Sequence, residues 1–134
     1  MRILLVAGSY PPEPCGVGDY TENLANSLAA LKGVHVGVLT TSASGRRSTN
    51  TSPVELMEAV QKWNFSELPK LISVIRQWRP DLVHFQYPSQ GFFFRRLPSF
   101  LPLMCRLMGV KVIQTWHEPH RMRGVLHFLL QALG

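Results

Sequence analysis

His117 stands beside Glu118 directly after Val110 to Thr115, a short apolar stretch that reads as a buried strand. An imidazole in that position can exchange a proton near neutral pH or hold a hydroxyl of a bound molecule. A lone histidine at a strand end can equally be a hydrogen-bonded structural residue, and the pattern alone leaves both readings open. A second candidate is Gly16-Val17-Gly18-Asp19-Tyr20, which follows Pro11, Pro12 and Pro14 and precedes a helical pattern. The first backbone N–H groups of a helix have no intrahelical partner and carry the positive end of its dipole, so such a start favours an anion such as a phosphate. Asp19 and Glu22 oppose an anion there, and instead serve as helix-start carboxylates, in a capping box, or as acceptors for hydroxyl groups. A phosphate-binding P-loop is excluded because no Gly-Lys-Ser/Thr follows, and the Gly-x-Gly-x-x-Gly dinucleotide fingerprint is absent. His117-Glu118-Pro119-His120 lacks two histidines one helical turn apart and is broken by proline, so no metal site is expected.

The elements that must position these residues alternate between strand and helix. Ile3 to Ala7, Val34 to Thr40, Leu82 to Gln86 and Val110 to Thr115 read as strands, while Val54 to Val60 fits either a strand or a helical turn. Val17, Tyr20, Leu24, Leu28 and Leu31 form the stripe of a first helix. Leu68, Leu71, Ile72, Ile75 and Trp78 form a second, with Ser66 as its cap and Pro69 in its first turn. Ser99 caps a third, which runs through Leu103, Leu107 and Met108 to a stop at Gly109. This alternation predicts an α/β fold: a Rossmann-like open parallel sheet, helices on both faces, order 3-2-1-4-5, the switch point between the first and fourth strands. Ligands of such sheets sit outside the carboxyl ends of the strands. The loops there hold Gly16 to Tyr20, Gln86 to Ser89 and His117 to Arg121. Thr41 to Pro53 reads as a polar loop.

Three segments in order carry a family resemblance. Pro11-Pro12 with Gly16, Gly18, Tyr20, Thr21, Leu24 and Ala25, then Pro80-Asp81-Leu82-Val83-His84-Phe85-Gln86-Tyr87-Pro88, then Val112-Ile113-Gln114-Thr115-Trp116-His117-Glu118, resemble the N-terminal, acceptor-side domain of family 4 glycosyltransferases of the GT-B fold. Cys15 stands where that family often has another glycine. The resemblance implies retaining, metal-independent transfer of a sugar from a nucleotide-diphosphate sugar to an acceptor hydroxyl, with no cofactor. It implies a catalytic role for His117, donor-phosphate contacts from Gly16, Val17 and Gly18, and acceptor contacts from Asp19, Tyr20, Gln86, Tyr87 and Glu118. GT-B enzymes have two Rossmann-like domains, and 134 residues suffice for one. The chain is therefore expected to be a partial N-terminal domain, cut inside an apolar helical segment at Gly124 to Gly134 and inactive without its nucleotide-binding partner domain. The alternatives are a stand-alone sugar-, phosphate- or protein-binding module that associates through an open sheet edge, and another α/β phosphate enzyme.

The net charge is +6, and the second half carries it, with Arg95, Arg96, Arg106, Lys111, Arg121 and Arg123 set against Glu118. Such a field attracts nucleotide diphosphates or anionic headgroups, whereas no nucleic-acid-binding motif accompanies it. Phe92, Phe93, Phe94, Arg95 and Arg96 have the composition of a peripheral membrane patch, or of a loop that folds its aromatic residues under a core helix. Two cysteines give no disulfide framework, and Ile3 to Ala7 is too short for a signal peptide, so the expected location is the cytoplasm, with any membrane contact at its inner face.

Overall fold

The computed structural model describes residues 1–42, 52–87, 90–92 and 95–117. The strands are β1 (Arg2–Val6), β2 (His35–Thr41), β3 (Val54–Val60), β4 (Leu82–Tyr87) and β5 (Lys111–Trp116), and the helices are α1 (Gly16–Ala29), α2 (Leu68–Trp78) and α3 (Leu97–Leu107). All neighbouring strands pair in parallel, in the order β3-β2-β1-β4-β5. The expected order holds, and Val54–Val60 is a strand. The central strand β1 is apolar from Ile3 to Val6 because both its faces are covered there, and each such fully buried leucine or valine contributes about 1.5–3 kcal/mol. Leu4 and Val6 face α2 and α3, together with Leu71, Ile75, Leu97, Leu101 and Cys105. Ile3 and Leu5 face α1 at Ala25, Leu24 and Leu28.

The buried stripe of α2 at Leu71, Ile75 and Trp78 is as predicted, whereas α1 and α3 turn other faces inward and the cap of α2 shifts by one residue. The buried positions of α1 are Gly18, Thr21 and Ala25, while Tyr20 and Leu31 are largely exposed. Small residues let this helix lie close to the sheet, and Leu24 and Leu28 fill only its flanks. Its N-cap is Cys15, with no side-chain cap bond, so Glu22 lies in the second turn and forms no capping box. A short 3₁₀ turn over Phe65–Glu67 leads into α2, which moves the cap from Ser66 to Glu67. Ser99 likewise lies within the first turn of α3, buried, and the inward stripe becomes Leu97, Leu101 and Cys105, which leaves Leu107 in solvent. Both helices begin with proline near their first position, where a missing N–H costs no hydrogen bond. Gly109, at φ 79°, stops α3 as predicted.

Glycine permits one close contact within the sheet. A Cβ on Gly37 of β2 would stand 2.8 Å from the Trp78 ring, whose Nε1–H donates to Glu55 of β3 (2.8 Å). Among the described residues no helix is long and apolar enough to cross a membrane.

Candidate functional site

The carboxyl ends of β4 and β5 present two polar diagonals on the face shared with α1. The register aligns Gln86 with Thr115 and His84 with Ile113, so side chains two residues further along β5 reach back across the ladder. His84 Nε2 lies 2.7 Å from Thr115 Oγ1, and His117 Nε2 lies 2.9 Å from Gln86 Oε1. The His117 backbone N–H donates to the Tyr87 carbonyl at 2.9 Å, which fixes the residue beyond the strand end. Tyr20 of α1 meets the His117 ring edge-on, with centroids 4.9 Å apart. A helix following β1, the end of β4 and the end of β5 thus converge, as the switch-point geometry requires.

The bonds set the protonation state. An amide oxygen only accepts, so Gln86 Oε1 makes His117 Nε2 the donor and leaves Nδ1 with a lone pair. Burial pushes the His117 pKa below its ordinary 6.5. His84 is also lowered, first by burial and then by the charge of His117. Both imidazoles are therefore neutral at pH 7. Gln86 is fully buried, and its Nε2 has no hydrogen-bond partner among the described residues. Such a group costs about 1–3 kcal/mol.

The shifts carry a pH prediction. The unfolded chain protonates His84 and His117 near 6.5 and the folded chain only at lower pH, so the unfolded state binds more protons between those values. The contribution of these two histidines to stability is complete above 6.5 and is lost progressively as the pH falls from there through their lower folded-state values. The thermal midpoint followed by circular dichroism should drop as the pH is lowered from about 7.5 to about 5.5, and less steeply in His84→Gln.

At the start of α1 the first intrahelical bond is from Asp19 N–H to the Cys15 carbonyl, which leaves the N–H groups of Gly16, Val17 and Gly18 outside the helical ladder. Gly16 is open, with nothing within 4 Å of where a Cβ would stand. Gly18 is buried, and a Cβ there would meet the Ser9 carbonyl oxygen at 3.2 Å, so its missing side chain serves contact between the helix and the loop after β1. Asp19 is exposed in the first turn.

Two expected surface or site residues lie elsewhere. Tyr87 follows Gln86 and therefore points to the opposite face of the sheet, where its ring stacks with Phe92 and meets Trp116 edge-on, and its side chain bonds Ser99. Only its carbonyl serves the site. Phe92 is 3% exposed, held edge-on by Trp63 with centroids 4.8 Å apart, so it belongs to the core and not to a membrane patch. Arg95 and Arg96 are exposed, while Phe93, Phe94 and Glu118 lie outside the described residues.

Sequence reasoning missed Thr115 and the support beneath the β1 loop. Trp63 Nε1–H donates to Thr41 Oγ1 (2.8 Å), and the Thr41 hydroxyl donates to the Gly8 carbonyl. A Cβ on Gly91 would fall onto that same Gly8 carbonyl and within 2.6 Å of Ser9 Oγ. The alternation of β5 was a usable signal for Thr115, since it shares a face with His117.

An open parallel sheet whose polar groups gather at the carboxyl ends of β4 and β5, beside the start of α1, is a Rossmann-like α/β domain. The description Glycosyltransferase Family 4 matches residues 14–133, and the chain belongs to that family. The comparison with curated proteins gave no match.

Proposed function

We propose that this domain is the acceptor-side part of a retaining, metal-independent glycosyltransferase that moves a sugar from a nucleotide-diphosphate sugar to an acceptor hydroxyl, the nucleotide being held mainly by a second domain. The observation that carries the reading is the meeting of Tyr20, Gln86 and His117 beside a helix start with free N–H donors. In this scheme the N–H groups of Gly16, Val17 and Gly18 face the diphosphate, whose charge grows as the glycosidic bond breaks. His117 Nδ1 accepts from a sugar hydroxyl. The Tyr20 edge and Gln86 Oε1 hold the ring in place, and Gln86, itself buried, acts on the sugar through the imidazole it orients. Asp19 and Glu118 are proposed to face the acceptor, a glycan, lipid or small molecule, on the cytoplasmic side of the cell.

The test is residue-resolved NMR of the chain with nucleotide-diphosphate sugars, together with a radiolabelled transfer assay. Amide shifts at Gly16 to Gly18, Tyr20 and His117, with no transfer by this chain alone, are expected. Turnover by the isolated chain, or shifts that avoid those residues, would remove the reading.

A further inference from the structure

The amino end of the sheet, opposite the His117 cluster, carries a groove of about 810 Å³ lined by Arg2, Arg76, Arg79 and Trp78, with Pro69 and Ile72 on its α2 wall. None of its lining residues among those described carries a carboxylate. Two carboxylates outside the lining bond residues within it: Asp81 Oδ2 accepts from the Arg2 backbone N–H (2.6 Å), and Glu55 Oε2 accepts from Trp78 Nε1–H (2.8 Å), which leaves the three guanidiniums in excess. Arg2 is preorganised. Its guanidinium lies 4.3 Å from the Trp78 ring centroid, and its Nε–H donates to the Trp78 carbonyl at 2.9 Å, which leaves its terminal nitrogens available to a ligand.

The positive charge exceeds what the helix requires. A helix C-terminus carries about half a negative charge, and here three guanidiniums surround the end of α2. Arg79 also caps α2 at φ 51°, the single non-glycine with positive φ among the described residues, where glycine is the unstrained choice. The chain thus holds arginine where the backbone favours glycine.

We propose that this groove binds the phosphate group of a phosphorylated small molecule or of a lipid headgroup, held by Arg2, Arg76 and Arg79, with Pro69 and Ile72 against the apolar remainder. Planar guanidiniums match phosphate oxygens in paired hydrogen bonds. The volume suits a ligand of nucleotide or sugar-phosphate size. The inference is independent of the glycosyltransferase reading, because it uses the other end of the sheet.

The test titrates the 134-residue chain with pyrophosphate, followed by NMR at the Arg76 to Arg79 amides and the Trp78 indole, alongside co-sedimentation with phosphatidylcholine vesicles that contain or lack phosphatidylglycerol. The Arg76→Gln/Arg79→Gly double variant should weaken the response at least tenfold. Arg79→Gly relaxes the backbone, circular dichroism verifies the fold, and Arg76→Gln alone, on an exposed helical position, is the reserve variant. His117→Ala should leave the groove response unchanged. Groove shifts without sedimentation identify a free phosphate compound, and sedimentation only with phosphatidylglycerol, lost in the variant, identifies a headgroup. No response at the groove from either probe, or a response undiminished in the variants, overturns the proposal.

Discussion

Gly91→Ala should lower the thermal midpoint by roughly 10 °C. The new Cβ would land on the Gly8 carbonyl and against Ser9 Oγ, so the obstacle is chiefly backbone, which cannot rotate aside as a flexible side chain can. Overpacking of this kind costs about 1–3 kcal/mol, and a rigid neighbour places it at the upper end. The Gly8 carbonyl is also fixed from the opposite side by the Thr41 hydroxyl, itself held by Trp63, so the β1 loop has nowhere to retreat. Differential scanning calorimetry reads the shift, and Gly16→Ala is the control. Nothing stands within 4 Å of the Cβ added at Gly16, and alanine suits the first turn of a helix, so that variant should be neutral or gain a few tenths of a kcal/mol. Equal midpoints for the two variants would mean that the loops after β1 and β4 are not locked together as described.

This lock explains why the site was only partly legible in the sequence. Periodicity identifies β1, β2 and β4 because their apolar residues reflect burial within a parallel sheet, while β5 is read from Val110, Val112 and Ile113 although it is only partly covered. It identifies the position of His117 for the same reason: a polar residue that follows such a run must emerge at the strand end. Contacts between loops distant in sequence leave no periodic trace. Gly91 looks like turn punctuation, and Trp63 looks like one more apolar residue after β3, yet together they set the position of Gly8. The misread helix faces have a different cause. α1 buries Gly18, Thr21 and Ala25, so searching for large apolar residues selects the exposed Tyr20 and, beyond the helix end, Leu31, and assigns the wrong face. Small residues at an interface signal closeness, and that becomes visible only once a partner surface is known. Tyr87 is the opposite case: strand alternation had already placed it on the face away from Gln86, and the family resemblance obscured that local rule.

The largest functional effect is expected at His117, and Gln86 is the residue that separates function from scaffold. On the proposed glycosyl-transfer reading, His117→Ala introduced together with the proposed nucleotide-binding domain should reduce kcat/KM by about 10²–10³-fold, the loss typical of one preorganised polar group at a reacting centre. Gln86→Leu should reduce it by a smaller factor, because the imidazole persists but loses the acceptor that fixes its tautomer. Stability should move the other way. Leucine removes a buried Nε2 that has no partner among the described residues, whereas the His117 N–H it releases is only partly buried and can turn to water. A group whose replacement raises or preserves the melting temperature while activity falls is being retained for a ligand. Gln86→Glu supplies the electrostatic counterpart: a carboxylate 2.9 Å from Nε2 would favour the imidazolium and raise the His117 pKa, moving the acid limb of the pH–rate profile upward. If Gln86→Leu instead lost stability and activity in proportion, Gln86 would be a packing residue whose amide is met by a buried water, and not a residue kept to orient the imidazole.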